Sequence, residues 1–110
     1  MKYQVQLTAK AERDVDQVLR GFHQQRATSS GARWFAQLLA RMEVLERNPQ
    51  HCRFATEADD VKLDLRELLF GRRNKKYRIL FVVRDNIVSI LHIRHSARDA
   101  LSVDDIARTP

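Results

Sequence analysis

The chain has one cysteine, three glycines and two prolines in 110 residues, and aromatic side chains make up only 7% of it. The lone Cys52 excludes an internal disulfide framework, and its neighbour His51 stands too isolated to suggest a metal site. With so little glycine there is no Gly-rich loop to cradle a phosphate, and no Ser or Cys lies in a recognisable nucleophile context. Low-complexity tracts, repeats and linkers are missing, which points to one ordered domain spanning residues 1–110. No apolar run approaches the roughly 20 residues of a membrane span, and Met1-Lys2-Tyr3 does not open a signal peptide's apolar stretch. A cytoplasmic protein without cofactors and without a membrane partner is therefore expected.

Cationic charge is what the chain has in excess, and it is concentrated. Between Lys62 and Arg98 stand ten basic residues against Asp64, Glu67 and Asp85, so this segment carries +7 while the whole chain carries +6. The remainder sums to −1. A polyanion or an acidic protein would suit such a segment better than it suits solubility alone.

The hydrophobic periods predict the order β-αα-β-β-β. Tyr3 to Leu7 alternates as a short strand. Thr8 offers an N-cap for a helix from about Ala9 to Arg26, with Ala11, Val15, Val18, Leu19 and Phe22 on one stripe. Thr28 to Gly31 reads as a turn before a second helix, Ala32 to Arg47, whose broad apolar face comprises Trp34, Phe35, Leu38, Leu39, Met42 and Leu45. Gln50 to Val61 reads as a polar loop. Leu63 and Leu65 lie out of phase with Leu68 and Phe70, which calls for either a β-bulge near Arg66-Glu67 or a later strand start. Lys76 to Arg84 and Ile87 to Arg94 are the clearest strands, joined at Asp85-Asn86, and Ser102 can cap a short C-terminal helix through Ala107. The expected architecture is α+β: a small antiparallel sheet with the helical hairpin packed on one face.

A two-residue turn at Asp85-Asn86 pairs Arg84 with Ile87 and, by continuation, Arg78 with Ile93. Arg78 then shares a face with Ile93 and His95, while Tyr77, His92 and Arg94 share the other. A guanidinium diagonal to an imidazole, with Arg98 in the loop beyond, would suit phosphate chemistry. Alternatively Arg78 pairs with an acidic side chain, Glu67 or Asp99, and His95 merely ends the strand. A mid-strand arginine needs either a task or a partner.

The stretches "LRELLFGRRNKKYRILFVV" and "ILHIRHSARD", with the strand-hairpin-meander order, resemble the RelE/ParE superfamily of bacterial type II toxins. The resemblance implies a toxin bound and neutralised by a cognate antitoxin in a hetero-oligomer. If the chain is RelE-like, it implies a ribosome-dependent mRNA endoribonuclease with Arg78, His95 and Arg98 as catalytic residues, although no tyrosine follows Tyr77. The helical hairpin and the "RHSARD" ending look closer to ParE-like, plasmid-stabilisation members, which poison DNA gyrase. On that reading Arg66, Arg72, Arg73, Lys75, Lys76, Arg94 and Arg98 bind the target or a ParD-like antitoxin. A non-toxin alternative is a small basic domain that binds nucleic acid non-specifically.

Overall fold

A computed structural model describes residues 2–72 and 75–95. In order come β1 (Gln4–Leu7), α1 (Ala9–Gln24), α2 (Thr28–Arg47), a 3-10 turn at Pro49–His51, a one-turn α3 (Ala58–Val61), β2 (Arg66–Arg72), β3 (Lys75–Arg84) and β4 (Ile87–His95). The α+β class and the element order agree with the sequence. The C-terminal helix expected at Ser102 to Ala107 lies outside the described residues.

Thr8 opens α1 as anticipated. Its Oγ1 accepts from the Ala11 N–H at 3.2 Å and donates to the Ile90 carbonyl at 2.9 Å, so one side chain caps the helix and ties it to β4. The stop of α1 is less conventional. Arg26 turns left-handed at φ 54°, and the Ala27 N–H donates to Phe22 O at 2.8 Å, closing the helix with a Schellman-type bond. Because Arg26 alone makes the turn, α2 starts at Thr28 and takes in Ser29 and Ser30, the residues that read as a turn.

The sheet order is β1-β4-β3-β2. It is mixed, not antiparallel throughout: β2, β3 and β4 form an antiparallel meander, and β1 lies parallel to β4, pairing Gln4 with Ile87 through Leu7 with Ile90. The helical hairpin intervening between β1 and the meander provides the crossover that a parallel neighbour requires.

Both faces of the sheet are buried. On one face α1 and α2 pack Ala11, Val15, Trp34, Leu38 and Leu45 against Phe70, Ile79, Phe81, Val88, Ile90 and Ile93. The other face holds a smaller cluster of Ala55, Leu65, Leu80 and Leu91, with Ala58, Val61 and Leu63 against it. This second cluster accounts for the phase conflict around Arg66 without any bulge there. β2 pairs with β3 without a break from Arg66 to Arg72, so the strand simply starts later, and Leu65 belongs to the face opposite Leu68 and Phe70. The segment read as a polar loop becomes the lid of the second cluster. It is held by a bridge between Phe54 and Arg66 and by α3, which ends at Lys62 in left-handed conformation (φ 56°).

The helical hairpin covers less than its apolar width. Trp34, Leu38 and Leu45 are core, whereas Phe35 and Leu39, which the periodicity had placed with them, are 38% and 45% exposed.

Candidate functional site

The irregularity that matters lies in β4. The hairpin starts as expected, with Arg84 opposite Ile87 and Val82 opposite Ser89, and Asp85 at φ 57° makes the turn. Between Leu80 and Phe81 the register shifts, leaving Leu91 as an extra residue. Arg78 therefore lies opposite Arg94, not Ile93, and Tyr77 lies opposite His95. The expected diagonal meeting of Arg78 and His95 does not occur. Tyr77 points to the helical face, where its ring stands 5.4 Å from Trp34 and 5.6 Å from Phe70, and His95 stacks edge-on against it at 5.1 Å. Arg78 points to the other face.

There Arg78 is buried, with 8% of its surface exposed, and forms the centre of an ionic network. Its Nη1 and Nη2 donate to the two carboxylate oxygens of Glu57 at 2.9 and 2.7 Å, a bidentate fork. Its Nε donates to Glu67 Oε1 at 3.0 Å, and Arg53 Nε reaches the other oxygen of Glu67 at 2.6 Å. The hydrogen bonds from Arg78 hold the Glu57 carboxyl down at about 2, against the opposing effect of burial. Those same bonds, led by Glu57, raise the Arg78 pKa further. Glu67 is one of the two partners that the sequence offered for Arg78. Glu57, from the supposed polar loop, went unnoticed because nothing in a local pattern connects it to a strand 21 residues away.

The other cationic residues divide by surroundings. The Arg66 guanidinium is half-buried, donating to the Cys52 and Gln50 carbonyls at 2.6 and 3.2 Å and lying 4.2 Å over the Phe54 ring. Its hydrogen bonds fasten the lid. Beside it, burial pushes the Cys52 thiol pKa up, with Arg66 opposing. Lys76 is exposed, and Arg94 and His95 are half-buried. Arg72 and Lys75 pair through their backbones at the end of the β2–β3 hairpin. Arg73 and Arg98 lie outside the described residues. The strand order thus brings Arg72, Lys75, Lys76, Arg94 and His95 towards one end of the sheet, and it separates them from Arg66, at the far end of β2.

At that end a groove of about 640 Å³ runs between α1 and β4, lined among others by Asp14, Gln17, Phe22, Tyr77, Arg94 and His95. Its buried carboxylate, Asp14, was not singled out by the sequence. Asp14 Oδ2 accepts from the Ile93 N–H at 3.0 Å, on the edge of β4 that β1 no longer covers, and lies 4.0 Å from Nδ1 of the fully buried His92. Lys10 pairs with it from one turn earlier. The clue was its place on the stripe, three residues after Ala11 and four before Val18, where an acid must find a partner. Among the described residues no group of three or more His, Cys, Asp or Glu side chains is placed to hold a metal ion. No described helix is long and apolar enough to cross a membrane.

The fold defines a class first: a helical hairpin on a mixed four-stranded sheet, with a cationic end where the meander strands meet. A family model described as the ParE toxin of the type II toxin-antitoxin system, parDE, matches residues 5–100. The chain belongs to the ParE toxin family. Its fold is similar to that of a solved chain titled "Chromosomal ParDE TA system from P. aeruginosa", with a TM-score of 0.68 at 17% identity, covering 86% of this chain and 96% of that one. A search of curated proteins finds no match.

Proposed function

We propose that this chain is the toxin of a toxin–antitoxin pair, that it inhibits growth by poisoning DNA gyrase, and that a cognate ParD-like antitoxin neutralises it. Family membership supports the toxin reading. The observation that carries the choice of target is the state of Arg78. A ribosome-dependent endoribonuclease of the RelE-like kind would use Arg78 beside His95, to neutralise a developing phosphorane and to move a proton. Here the Arg78 guanidinium is buried between Glu57 and Glu67, on the face opposite His95. Exposing it to RNA would strand two carboxylates in a buried site. The cationic end of the sheet then serves as a binding surface with no chemistry of its own. Arg72, Lys75, Lys76 and Arg94 are the described residues assigned to it, Arg73 and Arg98 are assigned to the same role from the sequence alone, and Arg66 is better explained as a fastener of the lid.

The antitoxin is expected to contribute an acidic, amphipathic segment that orders on binding, neutralising this end while burying apolar side chains. The deciding experiment incubates purified toxin with gyrase and supercoiled plasmid, and separately with programmed ribosomes. Cleaved DNA–gyrase complexes with intact message are expected. Ribosome-dependent mRNA cleavage that His95→Ala abolishes, with gyrase unaffected, would overturn the proposal.

A further inference from the structure

The groove between α1 and β4 has an apolar floor and a cationic rim. Val18, Phe22, Tyr77 and Ile93 form the floor, and Gly21, where a Cβ would meet nothing within 4 Å, leaves room on the α1 side. The charges around it agree in sign. Arg94 and His95 stand on the β4 side. On α1, Lys10, Arg13 and Arg20 fall on or beside the lining row of Asp14, Gln17 and Gly21, while Glu12 and Asp16 fall on the far side of the helix. Among the described residues Asp14 is the one acid lining the groove, and it is buried and committed to Lys10 and to the Ile93 N–H. An apolar floor within such a rim suits an acidic segment that also carries apolar side chains.

The chain itself carries such a segment, and it leaves the sheet at the groove. β4 ends at His95, in the groove wall. Residues 99–107 hold Asp99, Asp104 and Asp105 together with Leu101, Val103 and Ile106, and no basic residue; Arg98 and Arg108 flank them on either side. From this we infer that residues 99–107 are the occupant of the groove. They fold back across it, set Leu101 and Ile106 on the apolar floor, and turn their aspartates to the cationic rim. Even a fully extended chain puts at most about 14 Å between His95 and Asp99, so the segment begins beside its seat. So short a tether holds it there at an effective concentration on the order of millimolar, and two apolar contacts with a few screened charge pairs then suffice. A second copy in dilute solution has no such advantage. While seated, the segment covers Arg94 and His95, and a partner of that part of the cationic end must first release it. This device belongs to the chain by itself and stands whether or not gyrase is the target.

The test is NMR-detected hydrogen exchange of the purified full chain, free of antitoxin, at low and at high protein concentration. The amides of residues 102–107 should exchange about tenfold or more slower than in an unstructured peptide of the same sequence. Leu101→Glu with Ile106→Glu removes the apolar anchors, and Gly21→Phe fills the groove from the α1 side. Either change should return those amides to the peptide rate, with β3 and β4 amides still protected as the sign of an intact fold. Asp104→Lys with Asp105→Lys should lower the protection by about threefold or more, and salt should lower that of the parent in the same direction. The Gly21 and Gln25 amide resonances should also move when the two anchors are replaced. Amides at the peptide rate in the parent would overturn the inference, as would protection that survives Gly21→Phe. Unmoved Gly21 and Gln25 resonances would overturn it without recourse to any groove variant. Protection that appears only at high protein concentration would overturn it too, since another copy would then supply the segment.

Discussion

Arg78 has three of its nitrogens committed to two carboxylates, in a site that water barely reaches. Removing one member of such a network is far costlier than replacing all of it, because the survivors remain buried without their counter-charge. Arg78→Met should lower stability by about 3–5 kcal/mol, read from the urea midpoint. The triple replacement of Glu57, Glu67 and Arg78 by apolar residues of similar size should recover most of that loss. If Arg78→Met leaves the midpoint unmoved, the network contributes nothing and the guanidinium is available for other work. Acid should expose the same linkage. A Glu57 carboxyl depressed to about 2 from an ordinary 4.5 binds protons more weakly folded than unfolded. Its contribution, about 3 kcal/mol by the size of the shift, is complete above about pH 5 and drains away as pH falls towards 2. Glu57→Gln should flatten that part of the stability-versus-pH curve, measured by denaturant melts between pH 6 and pH 2.5.

The elements differ in how readily their placement could be seen. β3, β4 and α1 were legible because each keeps one hydrophobic period for most of its length. The β4 bulge was not inferred, although its trace is present. Val88 and Ile90 face the helices at a spacing of two, and the next residue in that core is Ile93, at a spacing of three. Only an extra residue lets all three share a face, and unbroken alternation without it places Arg78 on the face of His95. The direction of β1 was invisible for another reason, since alternation marks a strand but carries nothing about its neighbour. The α1–α2 turn escaped because its left-handed residue is Arg26 where glycine would have announced it. Two glycines within this hairpin give a matched test of local packing. A Cβ at Gly21 meets nothing within 4 Å, so Gly21→Ala should stabilise by about 0.5–1 kcal/mol through helix propensity. At Gly31 the new Cβ would come to 3.2 Å from Phe22 Cβ, where the packed helices must yield. Gly31→Ala should therefore melt lower than Gly21→Ala, and equal thermal midpoints would contradict that packing.

For the whole molecule, expression without its antitoxin should arrest growth with an SOS response and filamentous cells, and co-expression of an adjacent antitoxin gene should restore growth. Normal growth with verified soluble protein would remove the toxin reading for this copy. Charge reversal of Arg72, Arg73 and Lys76 together should slow antitoxin association and flatten its salt dependence, measured by stopped-flow. An association rate indifferent to both would place docking elsewhere.

The two unequal clusters on either side of the sheet also set a hierarchy of opening. The large one joins both helices to all four strands, so exposing it means global unfolding. Among the described residues the small one is covered by the segment from Arg53 to Leu65, held by one arginine network and the contacts of Arg66. That segment can lift as a unit while the helical face stays closed. Its backbone amides should exchange with deuterium ahead of those of β3 and β4. Native-state trypsin should then make its first cut after Lys62, an exposed residue at the end of the segment's only helix, and leave two fragments that still migrate together.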